Sequence, residues 1–159
     1  MRAVTSGRFS GSQVLGFLGS WACGKIAVVA THTPEQLKAL RNRLLQLHKT
    51  LLDSDRAAYE RAYGPVGSSG EWLQLVLGHE HFAWLRPFSG LIVRIDEWLA
   101  GDERPEVEQA AVVKEADRLT SISASTEERA LRYRKSIDRS ADAAVAHASV
   151  RDILDNSKN

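Results

Sequence analysis

The sequence predicts an all-α fold, an antiparallel helical bundle of four main helices plus one short helix. Three observations carry that expectation. Apolar residues recur at steps of three and four, the spacing that lays side chains along one helical stripe. Ser or Thr stands three residues before Glu or Gln at Thr33, Ser68 and Ser125, the pattern that closes a helix N-terminus reciprocally. Residues 102–159 hold no glycine and the single proline Pro105. No alternating run is long enough to build a sheet, and no internal repeat appears.

Thr33, Pro34 and Gln36 supply a cap, a first-turn proline and the reciprocal partner, so a long helix starts at 34. Leu37, Leu40, Leu44, Leu47 and Leu51 form its stripe, and Tyr59 and Tyr63 extend the apolar surface to Gly64-Pro65, where the helix stops. A helix over 34–63 is about 45 Å long. Residues 64–70 read as a turn, and Ser68 with Glu71 opens a short helix over 71–78. Pro87 has no N–H to donate, which predicts a break before it. Beyond the break Phe88, Leu91, Ile92, Ile95, Trp98 and Leu99 share a face that ends at Gly101. Pro105 opens the next helix, carrying Val112, Ala116, Leu119 and Ile122 inward. Ser125 with Glu128 opens the last, about 126–154, burying Tyr133, Ile137, Ala141, Val145 and Ala148. That small-residue face either closes the monomer's core or pairs with a second copy as a homodimer.

A chain of 159 residues with 43% apolar and 26% charged side chains is one ordinary globular domain, which excludes a wholly disordered, collagen-like or membrane-embedded chain. A net charge of +1 provides no overall field to draw it onto nucleic acid or anionic lipid. Cys23 is the one cysteine, so an internal disulfide and a Cys-based zinc site are both excluded. Residues 1–33 stand apart from the helical domain 34–159. They carry Arg2, Arg8 and Lys25 without an acid, against 18 basic and 20 acidic residues in the remainder. Their glycines interrupt every helical period, which reads as a flexible extension, a misassigned start or a targeting segment. The expected compartment is the cytoplasm, with export as the alternative if residues 1–30 act as a signal.

Gly19-Ser20-Trp21-Ala22-Cys23-Gly24-Lys25 has the glycine and lysine spacing of a phosphate-binding loop, and Leu91 to Glu97 imitates the acidic strand that accompanies one. Ile26 stands where Ser or Thr must reach magnesium, and the acidic segment belongs to a helical pattern, so the match is read as chance. His48, His81 and His147 are the candidate ligands of a small metal-dependent enzyme or metal-binding bundle. No Glu lies three residues before any of them, and no serine occupies a nucleophile elbow, so no catalytic residue, cofactor or metal is assigned. Arg129, Arg132, Arg134, Lys135 and Arg139 form the densest basic stretch. Glu127, Glu128 and Asp138 interrupt it, which favours a solvated helix face over a nucleic-acid surface.

Trp72, Phe82, Trp84, Phe88 and Trp98 crowd around the Pro87 break and read first as a packing centre. Within it His81, Trp84 and Arg86, on the segment that proline interrupts, are the candidate binding residues for a protein partner or a small anionic ligand. Leu47-His48-Lys49 through Leu52-Asp53, the Tyr59 to Pro65 helix end, and Phe82-Ala83-Trp84-Leu85-Arg86-Pro87-Phe88-Ser89 through Ile95-Asp96-Glu97 resemble small uncharacterised bacterial all-helical proteins of unknown function. The likeness covers about residues 34–100 and implies no activity. The functional expectation is therefore a bacterial binding or interaction module, with the metal-dependent enzyme as the alternative.

Overall fold

The computed structural model describes residues 32–122 and 126–156, and among them the chain is all-helical with no strand. The elements are α1 (Pro34–Tyr63), α2 (Ser69–Gly78), α3 (Glu80–Ala83), α4 (Arg86–Ala100), α5 (Glu106–Thr120), α6 (Glu128–Arg139) and α7 (Ala141–Asn156). No described helix is long and apolar enough to cross a membrane. Residues 1–31, which hold the phosphate-loop-like segment and Cys23, lie outside the described residues, as does Ser125.

Helix α1 begins as its sequence requires. The Gln36 N–H donates to Thr33 Oγ1 at 3.2 Å, and the Thr33 N–H donates to Gln36 Oε1 at 2.7 Å. It ends at Gly64, whose φ of 94° lies in the region that only glycine enters without strain. At α2 the Glu71 N–H donates to Ser68 Oγ, but the Glu71 carboxylate reaches one residue further back, to the Gly67 N–H at 3.0 Å. The leucine stripe of α1 is fully buried. Against it pack α7 and α4, while α5 packs on both α4 and α7, and α6 lies against α7 and α1. Phe88, Leu91, Ile95 and Trp98 from α4, Val112, Ala116 and Leu119 from α5, and Ala143, Ala146, Val150 and Leu154 from α7 complete one core.

The element count differs from four main helices plus one. Two extra boundaries account for it. After α2 the His79 ring accepts the His81 N–H at 3.1 Å and starts the single turn α3 ahead of the Pro87 break. Between α6 and α7, Ser140 is extended at φ −125° and ψ 115°, and its Oγ accepts the Ala143 N–H, so one long C-terminal helix becomes two. The break resets the phase of the stripe. An unbroken helix carries Ala141, Val145 and Ala148 inward with Tyr133. Instead α6 buries Ala130, Tyr133 and Ser136, α7 buries Ala143, Ala146, Val150 and Leu154, and Val145 is 68% exposed. Ile122 falls beyond the end of α5 and is 49% exposed rather than inward.

Two histidines tie helices together. His48 Nε2 on α1 lies 3.0 Å from Ser89 Oγ on α4, and His147 Nδ1 on α7 lies 2.7 Å from the Tyr133 hydroxyl on α6. Burial lowers both imidazoles below the ordinary 6.5, with Arg151 adding to the effect at His147. Burial also pushes the Tyr133 phenol up, so the hydroxyl keeps its proton. Between the lowered values and 6.5 the unfolded chain binds more protons than the folded one. The histidine contribution to stability is therefore whole above pH 6.5 and is lost as the pH falls through the folded values. Thermal melts from about pH 7.5 down to about pH 5 should show a falling Tm, and the His48→Gln, His147→Gln double variant should flatten the fall. An equal fall in the double variant removes these two rings as its cause.

Candidate functional site

Four residues beyond Leu51, the buried stripe of α1 continues not into another leucine but into Asp55, which is only 6% exposed. A buried carboxylate must find donors, and this one finds them on other elements. Asp55 Oδ2 accepts the Trp84 indole N–H at 2.7 Å, and Oδ1 accepts from an Arg139 amino group at 3.1 Å. The same guanidinium donates to Ser54 Oγ at 3.3 Å. His81 Nε2 stands 3.8 Å from Oδ2, within reach of its charge but too far for a hydrogen bond. Arg132 from α6 donates to the His81 carbonyl at 3.1 Å. The clasp thus joins α1, α3, the turn before α4 and the end of α6.

Aromatic rings fill the space around it. Trp72 of α2 meets Phe82 edge to face at 5.1 Å, Trp84 meets Phe88 in the same way, and Phe88 stacks on Tyr133. Tyr59 presents to both His79 and His81. This is the packing centre that the clustered aromatics imply.

Helix α2 is attached to the centre by one side. Trp72 is half-buried, with the Arg56 guanidinium 5.0 Å above its ring, and Leu75 and Val76 are half-buried beside it. No residue of α2 is fully buried. Leu73 at 57% and Leu77 at 66% exposure, one turn apart, form an apolar ridge facing solvent. Arg86, exposed at the start of α4, donates to the Leu77 carbonyl at 2.9 Å and has no acidic partner among the described residues.

The three residues singled out from sequence therefore divide. His81 and Trp84 come together on Asp55, with Trp84 only 7% exposed, whereas Arg86 leaves them and borders the outer ridge of α2. Asp55 escaped the sequence reading, although an acid at a leucine-stripe position was the signal for it. His48, His81 and His147 each meet a different partner, and among the described residues no group of three His, Cys, Asp or Glu side chains could hold a metal ion. The Leu91–Glu97 segment lies in α4, where Asp96 takes a bidentate pair from Arg41 at 2.7 and 2.9 Å. The basic stretch of α6 is largely consumed inside the molecule, Arg129 on the Leu119 carbonyl, Arg132 on that of His81 and Arg139 on Asp55.

Removing the carboxylate strands the buried indole N–H, whereas the Arg139 guanidinium keeps Ser54 and access to water. Asp55→Ala should cost about 1–3 kcal/mol in chemical denaturation, the scale of a buried donor without its acceptor. It should also shift the tryptophan emission as Trp84 loses its partner, and Asp55→Asn should cost less. An unchanged denaturation midpoint in Asp55→Ala removes the clasp from the account. No family model, curated protein or solved structure matches the chain.

Proposed function

We propose that the chain is a helical protein-interaction module that docks a partner on the outer ridge of α2, beside the Pro87 break. The observation that carries this reading is a ten-residue helix whose apolar side chains are too numerous for the face it buries. A helix apolar on most sides belongs in a core, and where its own chain leaves such a surface open a second surface can cover it. The ridge of Leu73 and Leu77 suits an amphipathic helix of the partner, and Arg86 at its rim suits a carboxylate on that helix. His81 and Trp84 serve the site indirectly, by fixing the turn on which α2 and Arg86 are held.

The scaffold reading that goes with it is an antiparallel four-helix arrangement of α1, α4, α5 and α7. It is supported by the closed ring of contacts, α1 on α4, α4 on α5, α5 on α7 and α7 on α1, and by the short link 101–105 between α4 and α5.

Burying a leucine is worth about 1.5–3 kcal/mol, so Leu73→Glu with Leu77→Glu should weaken capture of the partner about a hundredfold or more. Both positions are exposed, so helicity and Tm should stay near those of the unaltered chain. Arg86→Glu should weaken capture by about tenfold through charge reversal together with loss of the bond to the Leu77 carbonyl. Affinity capture with quantified binding, run beside sedimentation of the purified chain, checks all three. Dissociation of a dimer by the leucine variants identifies a second copy as the partner. Undiminished binding by the double variant overturns the assignment to α2.

A further inference from the structure

On the far side of the Asp55 clasp, between the C-terminal half of α1 and the α6–α7 junction, an open groove of about 510 Å³ is lined by Ser54, Glu60, Arg61, Arg139 and Ser140 among others. The hydrogen bonds already made by these side chains decide what the groove has left to offer. Glu60 is half committed: its Oε1 accepts the Arg56 Nε–H at 2.9 Å and the Val66 N–H at 3.4 Å, and its charge is set against that of Arg56. The Ser54 hydroxyl oxygen accepts from Arg139, and the Ser140 hydroxyl oxygen accepts the Ala143 N–H, so each keeps its own O–H to donate. Arg61 spends its Nε–H on the Ala57 carbonyl at 3.0 Å and keeps both terminal amino groups. Arg139 spends one amino group on Asp55 and Ser54 and keeps its remaining donors.

Apart from Glu60 Oε2, the inventory is one of donors. Its charge balance points the same way, because Arg56 is matched by Glu60 and Arg139 by Asp55, while Arg61 meets no acid among the described residues. Asp142, the nearest acid in sequence on α7, lines a different groove, with Arg43, Lys49 and Asp53. Two guanidinium groups and two hydroxyls around an open space outnumber the one lining carboxylate, which is ion-paired with Arg56, and are complementary to an oxygen-rich anion.

We propose that this groove binds a phosphate group, free or on a small phosphomonoester, with Arg61 as the charged anchor and Ser54, Ser140 and Arg139 as further donors. The site is separate from the α2 ridge, so the two proposals stand or fall independently.

The full chain is titrated in chloride buffer with inorganic phosphate, with phosphoserine and, as a planar comparison, with acetate. The readouts are backbone amide shifts in nuclear magnetic resonance and the heat of binding. Saturable binding that shifts the amides of Ser54, Arg61 and Ser140 is expected, together with a loss of at least tenfold in affinity in Arg61→Ala and a smaller loss in Arg61→Lys. Arg61 is exposed and makes one backbone contact, so its variants should keep their fold. Ser54→Ala should weaken binding in the same direction, and Leu77→Glu should leave it unchanged. Tighter binding of phosphoserine than of phosphate assigns the site to a phosphomonoester, and the reverse order assigns it to the free ion. Equal affinity in Arg61→Ala, amide shifts confined to other regions, or a response that never saturates overturns the proposal.

Discussion

The leucine stripe of α1 is the surface on which α4 and α7 are both seated, and α5 is held because it closes against those two. Five leucines at alternating steps of three and four leave no exposed area on that face, and each removes enough apolar surface from water to matter against the entropy of ordering the chain. Small residues at Ala116, Ala143 and Ala146 let the neighbouring helices come close. The reset at Ser140 belongs to the same constraint. On one straight helix the buried residues of α7 are centred about a quarter turn away from Ala130, Tyr133 and Ser136, and the extended serine breaks the helix between the two faces.

Where the stripe passes from Leu51 to Asp55 the chain accepts a cost. Taking a carboxylate out of water is expensive, and a hydrophobic residue of similar volume is often as good for stability. What the carboxylate adds is direction: its two oxygens accept from an indole on one element and a guanidinium on another, and the buried indole N–H has this carboxylate as its acceptor. The clasp therefore holds the α3–α4 turn and the end of α6 in one relation to α1. Both proposed sites lie beside it, the α2 ridge through the turn that carries Arg86, and the phosphate groove through Arg139, which faces the clasp and the groove at once.

Helix α2 follows a different logic from the rest. Its side chains divide between Trp72, which reaches the aromatic centre, and Leu73 and Leu77, which the chain leaves in solvent. Local sequence forms this helix, with Ser68 capping it and apolar residues throughout, but the core offers it only one side. An apolar surface held rigid at the edge of a packed domain is where association costs least conformational entropy.

Periodicity and capping in the sequence alone settled the helical class, the start of α1 at Thr33, its end at Gly64, the break before Pro87 and the end of α4 at Gly101, because each depends on contacts within a few residues. The role of Trp84, the separation of Arg86 from it and the binding of Asp55 were decided by tertiary structure, since residues 29 and 84 positions apart in the chain meet there. The phase of α7 was decided the same way. Ser140 carries no obligatory signal to stop a helix, and only the demand of a shared core selects which face of Ala141–Asn156 turns inward.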